Sequence, residues 1–168
     1  MFVTVNDFKQ GKFALHSGMY DVARIQDYIN KYEPRYLMEL MGVDLYNEFQ
    51  ADIIIGGGLP FEQRFIDIFE PLYRDLNFAI IMSEGFIEML KGFIYYEYTK
   101  DQIVQMTQNG NVRPVGQNSE VAGSLYTQIY TRYNDAIRSY KSIQWFVVYH
   151  SGDYAGFNGR KKENTTWI

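Results

Sequence analysis

The residues that could carry chemistry are few. His16 and His150 are the only histidines, they lie far apart, and the chain has no cysteine. Disulfides, thiolate catalysis and Cys-ligated metals are therefore excluded. Glu84, Glu88, Glu97 and Asp101 share one long helical stretch, but a di-metal bundle needs Glu-x-x-His pairs on facing helices, and none occurs. The four acids read as a solvated stripe and helix-end charges. Asp67 and Glu70 read as helix-surface neighbours. The glycines at 56–58 are followed by Leu-Pro rather than the Gly-Lys-Ser/Thr of a phosphate loop, and read as a flexible turn. Ser83-Glu84-Gly85 and Ser151-Gly152 do not form a nucleophile elbow. Arg160-Lys161-Lys162 is a short basic run beside Glu163, which suits a solvated tail better than a nucleic-acid contact. The residue types point away from an enzyme, with no catalytic residue, metal or cofactor assigned.

What organises the chain is a pair of long helices, Ser83 to about Met106 and Ser119 to Tyr149. In the second, Ala122, Tyr126, Ile129, Tyr133, Ala136, Tyr140, Ile143 and Val147 alternate at spacings of four and three residues, which places them on one stripe. Thr131, Arg132, Asn134, Asp135, Arg138, Ser139 and Lys141 fall between them and are expected to face water. A helix from 119 to 149 would be roughly 45 Å long at about 1.5 Å per residue and needs partners to bury its stripe. The first helix takes Ser83 as N-cap. It is apolar over most of its circumference through Phe86, Ile87, Met89, Leu90, Phe93, Ile94, Tyr95, Tyr96 and Tyr98, so it belongs at the centre of its bundle. Gly85 and Gly92 cost helix propensity, and close approach of another helix is the natural compensation.

The remaining chain predicts shorter elements. Val3 and Val5 alternate with polar residues before a turn at 9–12, giving a small hairpin or an extended arm over 1–18. Asp21 caps a helix from Val22 to about Tyr32, which Pro34 interrupts. Pro34 then starts a short helix with Leu37, Leu40 and Met41, ended by Gly42. Asp44 opens a third, with Leu45, Phe49 and Ile53 inward. Pro60 starts a fourth, with Phe61, Phe65, Ile68 and Phe69, broken at Pro71. Phe78 to Met82 fits a short buried strand or a helical turn. Residues 107–118 form a polar loop between the long helices, with a turn signal at Asn109-Gly110. Residues 151–168 form a polar tail ending in Trp167-Ile168, whose apolar anchors suggest docking on the same subunit or the next. The whole reads as a single mainly α domain: an arm over 1–18, a bundle over 19–150 and a tail over 151–168.

The 168 residues suffice for one core. The 15 Tyr and 12 Phe are a surplus of the kind found at protein–protein interfaces, although core margins use them too. A formal charge of −4 does not suit a general nucleic-acid binder. No signal-peptide pattern opens the chain, and no apolar run is long enough to span a bilayer.

Three segments carry a resemblance. They are Tyr32 to Tyr46 (Tyr-Glu-Pro-Arg-Tyr-Leu-Met-Glu-Leu-Met-Gly-Val-Asp-Leu-Tyr); Lys91 to Tyr98 with the 109–120 loop; and the Tyr154…Phe157-Asn158-Gly159…Trp167 tail. In these the chain resembles the small helical head–tail connector (adaptor, or ring) proteins of tailed bacteriophages, especially crAss-like and related phages of Bacteroidetes. The resemblance implies a virion protein assembled in the host cytoplasm. It implies a homo-oligomeric, dodecameric ring that docks below the portal protein, meets an adjacent tail or ring protein, and extends the DNA channel without binding the genome specifically. It makes Asn109, Gly110, Val112, Arg113, Pro114, Tyr154, Phe157, Trp167 and Ile168 the candidate inter-subunit or portal contacts. Loss of residues 154–168 should then weaken assembly and leave the monomer helical. The reading from another class is a small helical binding module or regulator, monomeric or dimeric. A third is an enzyme built from scattered carboxylates and Tyr.

Overall fold

The computed structural model describes residues 1–75, 80–103, 105–107, 110–112 and 125–164. Its α-helices are α1 (Val22–Met41), α2 (Val43–Ile55), α3 (Gln63–Phe69), α4 (Gly85–Ile103) and α5 (Leu125–Tyr149). Two antiparallel hairpins accompany them. One pairs β1 (Leu72–Asp75) with β2 (Ile80–Ser83), and the other pairs β3 (Gln105–Thr107) with β4 (Gly110–Val112). The chain is mainly helical, as the apolar spacing requires.

The centre is α4. Phe86, Met89, Leu90, Phe93, Ile94, Tyr95 and Tyr98 are all buried, and α5 is its principal partner. Of the expected α5 stripe, Ile129, Ala136, Tyr140, Ile143 and Val147 are buried, while Tyr133 sits at the margin, edge-on to Phe93 and tilted over Tyr96. Ala122 and the expected start at Ser119 lie outside the described residues. Gly92 makes the close approach its position implied: a Cβ there would sit 2.9 Å from the Ala136 Cβ and 3.1 Å from the Arg132 carbonyl oxygen. Gly85 serves a different need. It opens α4 at φ +84° with its Cα side against the Phe69 carbonyl, a left-handed conformation that favours glycine.

Several boundaries differ from the sequence expectation, each for a tertiary reason. α1 runs unbroken through Pro34. A proline inside a helix costs about 3 kcal/mol, but Tyr32, Glu33, Tyr36 and Leu37 are buried on both sides of it, so ending the helix at Tyr32 would forfeit more. α3 starts at Gln63 rather than Pro60, and Phe61 is exposed outside it. Ser83 is the last residue of β2, not the cap residue adjoining α4; its hydroxyl still accepts the Gly85 N–H at 3.0 Å. Ser139, expected to face water, is buried and accepts the Glu84 N–H at 3.1 Å. Residues 80–83 are a half-buried strand rather than a fully buried one. Ile81 points inward, while Ile80 and Met82 share the outer face with Tyr73. β4 takes Gly110–Val112 out of the expected loop, and Met106 lies in β3 rather than α4.

Residues 1–18 form an arm, with three short 3-10 turns and no strand. The arm buries Val3, Phe8, Phe13 and Leu15. It is tied down by the buried Glu33 carboxylate, which accepts the N–H groups of Phe2 and Val3 at 3.0 to 3.1 Å.

Candidate assembly surfaces

A helix leaves its last four carbonyls without intrahelical donors, and the last turn of α1 has no basic side chain to help. The Met38 carbonyl takes the Gly42 N–H at 2.8 Å. The other three are met by distant parts of the chain. Arg160 N–H donates to Glu39 O at 2.7 Å and Asn158 N–H to Met41 O at 3.0 Å. From α5, Gln144 Nε2 donates to Leu40 O and to Arg160 O, both at 3.0 Å. The Tyr140 hydroxyl lies 2.6 Å from Glu39 O and 2.5 Å from Arg160 O, sharing one proton between them. Burial pushes the pKa of that hydroxyl up, with Glu39 adding to the shift, so it stays a donor. The tail thus caps α1, and α5 supplies the side chains that hold both.

The cap requires close approach. A Cβ on Gly159 would fall 2.0 Å from the Leu40 carbonyl oxygen, and one on Gly42 within 3 Å of the Asn158 backbone. Next along, the Lys162 side chain is mostly withdrawn from solvent. Its Nζ sits 2.5 Å from Glu39 Oε2 and over the rings of Tyr36, Tyr140 and Phe93 at 4.6, 5.6 and 5.7 Å. An ammonium held by a carboxylate and several ring faces is strongly placed. The basic run is therefore not a solvated tail: Arg160 and Lys161 are exposed, but Lys162 is mostly buried.

Burial pushes Glu39 up, but its bonds to Lys162 and Arg35 outweigh that and hold it below the usual carboxylate range. A carboxylate with a depressed folded-state pKa stabilises the fold above its unfolded value and loses that contribution as pH falls through the folded one. Chemical-denaturation midpoints are therefore expected to drop as pH falls below about 4.5. In Glu39→Gln the drop over the same window should be smaller. Equal pH slopes in the two proteins would show that the pair does not hold the tail.

The expected contact residues separate accordingly. Tyr154 is buried in its own subunit: its ring packs near Phe146, and its hydroxyl donates to Arg64 O at 2.5 Å. This takes Tyr154 out of any contact surface. Phe157 is half-buried against the core and lines a surface groove. Gly110 and Val112 lie on β4 opposite Thr107 and Gln105. Asn109, Arg113, Pro114, Trp167 and Ile168 lie outside the described residues.

Three apolar surfaces were not picked out by sequence reasoning. The first is the loop after α2. From Ile53 to Phe61 no side chain is polar, and Ile54, Ile55, Leu59 and Phe61 are 81, 70, 59 and 66% exposed. The glycines at 56–58 do not leave it loose. Gly58 N–H donates to Ile53 O at 2.9 Å, and a Cβ on Gly56 would sit 2.0 Å from Leu59 O. The buried Asp52 carboxylate closes the base by accepting the N–H groups of Phe61 and Glu62 at 2.8 and 2.9 Å. The loop is a pinned apolar knob. The second surface is the outer face of the β1–β2 hairpin, with Tyr73, Ile80 and Met82. The third is a groove of about 530 Å³ between α5 and the tail, where Trp145 and Val148 are exposed beside Phe157. The signal available for the first was the uninterrupted apolar run flanking the glycines.

Among the described residues no cluster of His, Asp or Glu is placed to hold a metal, and no helix is long and apolar enough to cross a membrane. Asp101 accepts a hydrogen bond from Tyr28 and Glu97 one from Tyr36, so both serve helix packing. The chain matches no protein-family profile, no curated protein and no solved structure.

Proposed function

We propose that this chain is a structural subunit of a head-to-tail connector ring in a tailed-phage virion, docking below the portal and extending the DNA channel toward the tail. The observation that carries the reading is the presence of three separate exposed apolar surfaces on one small chain: the knob, the outer hairpin face and the α5 groove. Large exposed apolar patches mark interaction sites. A subunit in a stacked ring has neighbours on both sides as well as above and below, and so needs several such surfaces. A binding module that works alone needs one. The tail, spent on capping α1, supports the same division of labour, with the bundle finished inside the subunit and its surfaces left for neighbours. The net charge of −4 suits a channel wall past which DNA must slide without sticking.

The test is native mass spectrometry and negative-stain electron microscopy of the purified, untagged protein. A closed ring with a central channel is expected. A monomer or dimer at every attainable concentration would replace this reading with that of a helical binding module.

A further inference from the structure

We infer that the chain's own residues 165–168 seat in the α5 groove, with the Trp167 indole against Trp145 and Val148. Such a seat is independent of the ring reading. It gives the third apolar surface an occupant in the free subunit, which a neighbour docking there has to displace.

Position favours this occupant. The described chain runs through Asn164, and Thr165-Thr166-Trp167-Ile168 follow. The tail from Phe157 to Glu163 forms one wall of the groove, and α5 from Lys141 to Val148 forms the other. Glu163 is held at the rim by Lys141, 3.5 Å away. The next residues therefore start at the mouth of the recess. An extended chain covers about 3.4 Å per residue, so residues 165–168 reach roughly 13 Å. The α5 wall from Lys141 to Val148 is only about 10 Å long at about 1.5 Å per residue. The segment is long enough to turn back along the whole groove.

Chemistry agrees. Trp145 and Val148 are 59 and 54% exposed beside the half-buried Phe157, around a recess of about 530 Å³. Among the described residues that line it Glu163 is the only acid, while Lys141 and Lys161 stand at its edge. An apolar recess edged by ammonium groups suits an aromatic ring, whose face attracts cations. Of the residues after Asn164, Trp167 is the one ring, and none carries a charged side chain.

Proximity decides between the chain's own end and that of a second copy. A segment joined by so short a link meets its groove at an effective concentration on the order of millimolar. In dilute solution the end of another copy is far scarcer.

Trp145 and Trp167 are the only tryptophans, so Trp145→Phe leaves Trp167 as the sole reporter and keeps a ring in the groove. In that variant Trp167 emission is expected to be blue-shifted, with acrylamide quenching several-fold weaker than in the urea-unfolded chain. Adding Val148→Asp, at an exposed position, should leave the circular dichroism melt unchanged and abolish the protection. Adding Ile54→Asp in the knob should leave the protection intact. The reporter is then refolded with a large excess of a chain carrying Trp145→Phe, Trp167→Phe and Val148→Asp, which has no tryptophan and a blocked groove. Protection retained in this mixture assigns Trp167 to its own subunit. Protection lost in it puts the end in a neighbour's groove and overturns the inference. So does a Trp167 as accessible in the folded chain as in the unfolded one, or one whose protection survives Val148→Asp. Each result is read in monomer and assembly alike, so an absence of rings would overturn the ring reading and leave this contact standing.

Discussion

A chain that stops after Asp153 is expected to lose about 3–5 kcal/mol of stability, rather than to remain a sound monomer that merely fails to assemble. The loss has three sources. Tyr154 is a large side chain whose burial contributes about 2 kcal/mol. The N–H groups of Asn158 and Arg160 no longer reach the Met41 and Glu39 carbonyls, each such bond being worth about 1 kcal/mol. The ring faces of Tyr36, Phe93 and Tyr140 lose Lys162 and become wet on one side. Domains are stable by only about 5–15 kcal/mol in total, so the midpoint in urea should fall clearly. A chain stopped after Asn164 keeps every one of these contacts and serves as the control. Gly159→Ala in the full chain should reproduce part of the loss, because its methyl would occupy the place of the Leu40 carbonyl oxygen. An unaltered midpoint in the Asp153 truncation would mean that the tail only rests on the bundle.

The second large effect is expected from Ile129→Asp. Ile129 is 2% exposed on the buried stripe of α5. Asp at this position takes a carboxylate out of water, and burying a charge costs on the order of 4 kcal/mol. Ile129→Val removes one methylene and should cost only about 1 kcal/mol. Comparing the two by thermal denaturation separates charge from volume. If the Asp variant melts close to the Val variant, then Ile129 does not face the core.

The α4–α5 pair was legible because burial on a long helix repeats with the helix. Phe86, Leu90, Phe93 and Ile94 on one, with Ile129, Ala136, Tyr140 and Ile143 on the other, carry that period in their residue types. Ser139 and Gln144 were not legible. Their burial is decided by the Glu84 N–H and the Leu40 carbonyl, backbone groups brought to them by other elements. Pro34 misled for a related reason: its local cost is visible in the sequence, and the burial of Tyr32 and Leu37 that outweighs it is not. The tail looked polar and loose because, apart from Tyr154 and Phe157, its attachment runs through main-chain groups and one lysine, none of which leaves a hydrophobic pattern. A count of orphaned carbonyls at the end of α1, which lacks a basic last turn, would have demanded a partner without naming it. The candidate contacts fared unevenly. Tyr154 was put forward as an inter-subunit or portal contact and is buried within its own subunit. The knob was passed over because three glycines read as slack, when Asp52 and the chain's own carbonyls hold them taut.

The order in which the chain emerges from the ribosome gives the α1 cap a kinetic meaning. α1 is complete early, yet Gln144 lies 104 residues beyond the carbonyl it serves, and Lys162 lies 123 residues beyond Glu39. Contacts that distant in sequence are slow to form, because loop closure must precede any gain. During synthesis α1 therefore waits with its C-terminal carbonyls open to water, and no partial chain can finish the bundle. The knob, made shortly after α1, shows its apolar face throughout this interval, when aggregation is a hazard. The groove is complete only once Phe157 has come back against α5, so the last surface to form is the one the tail builds.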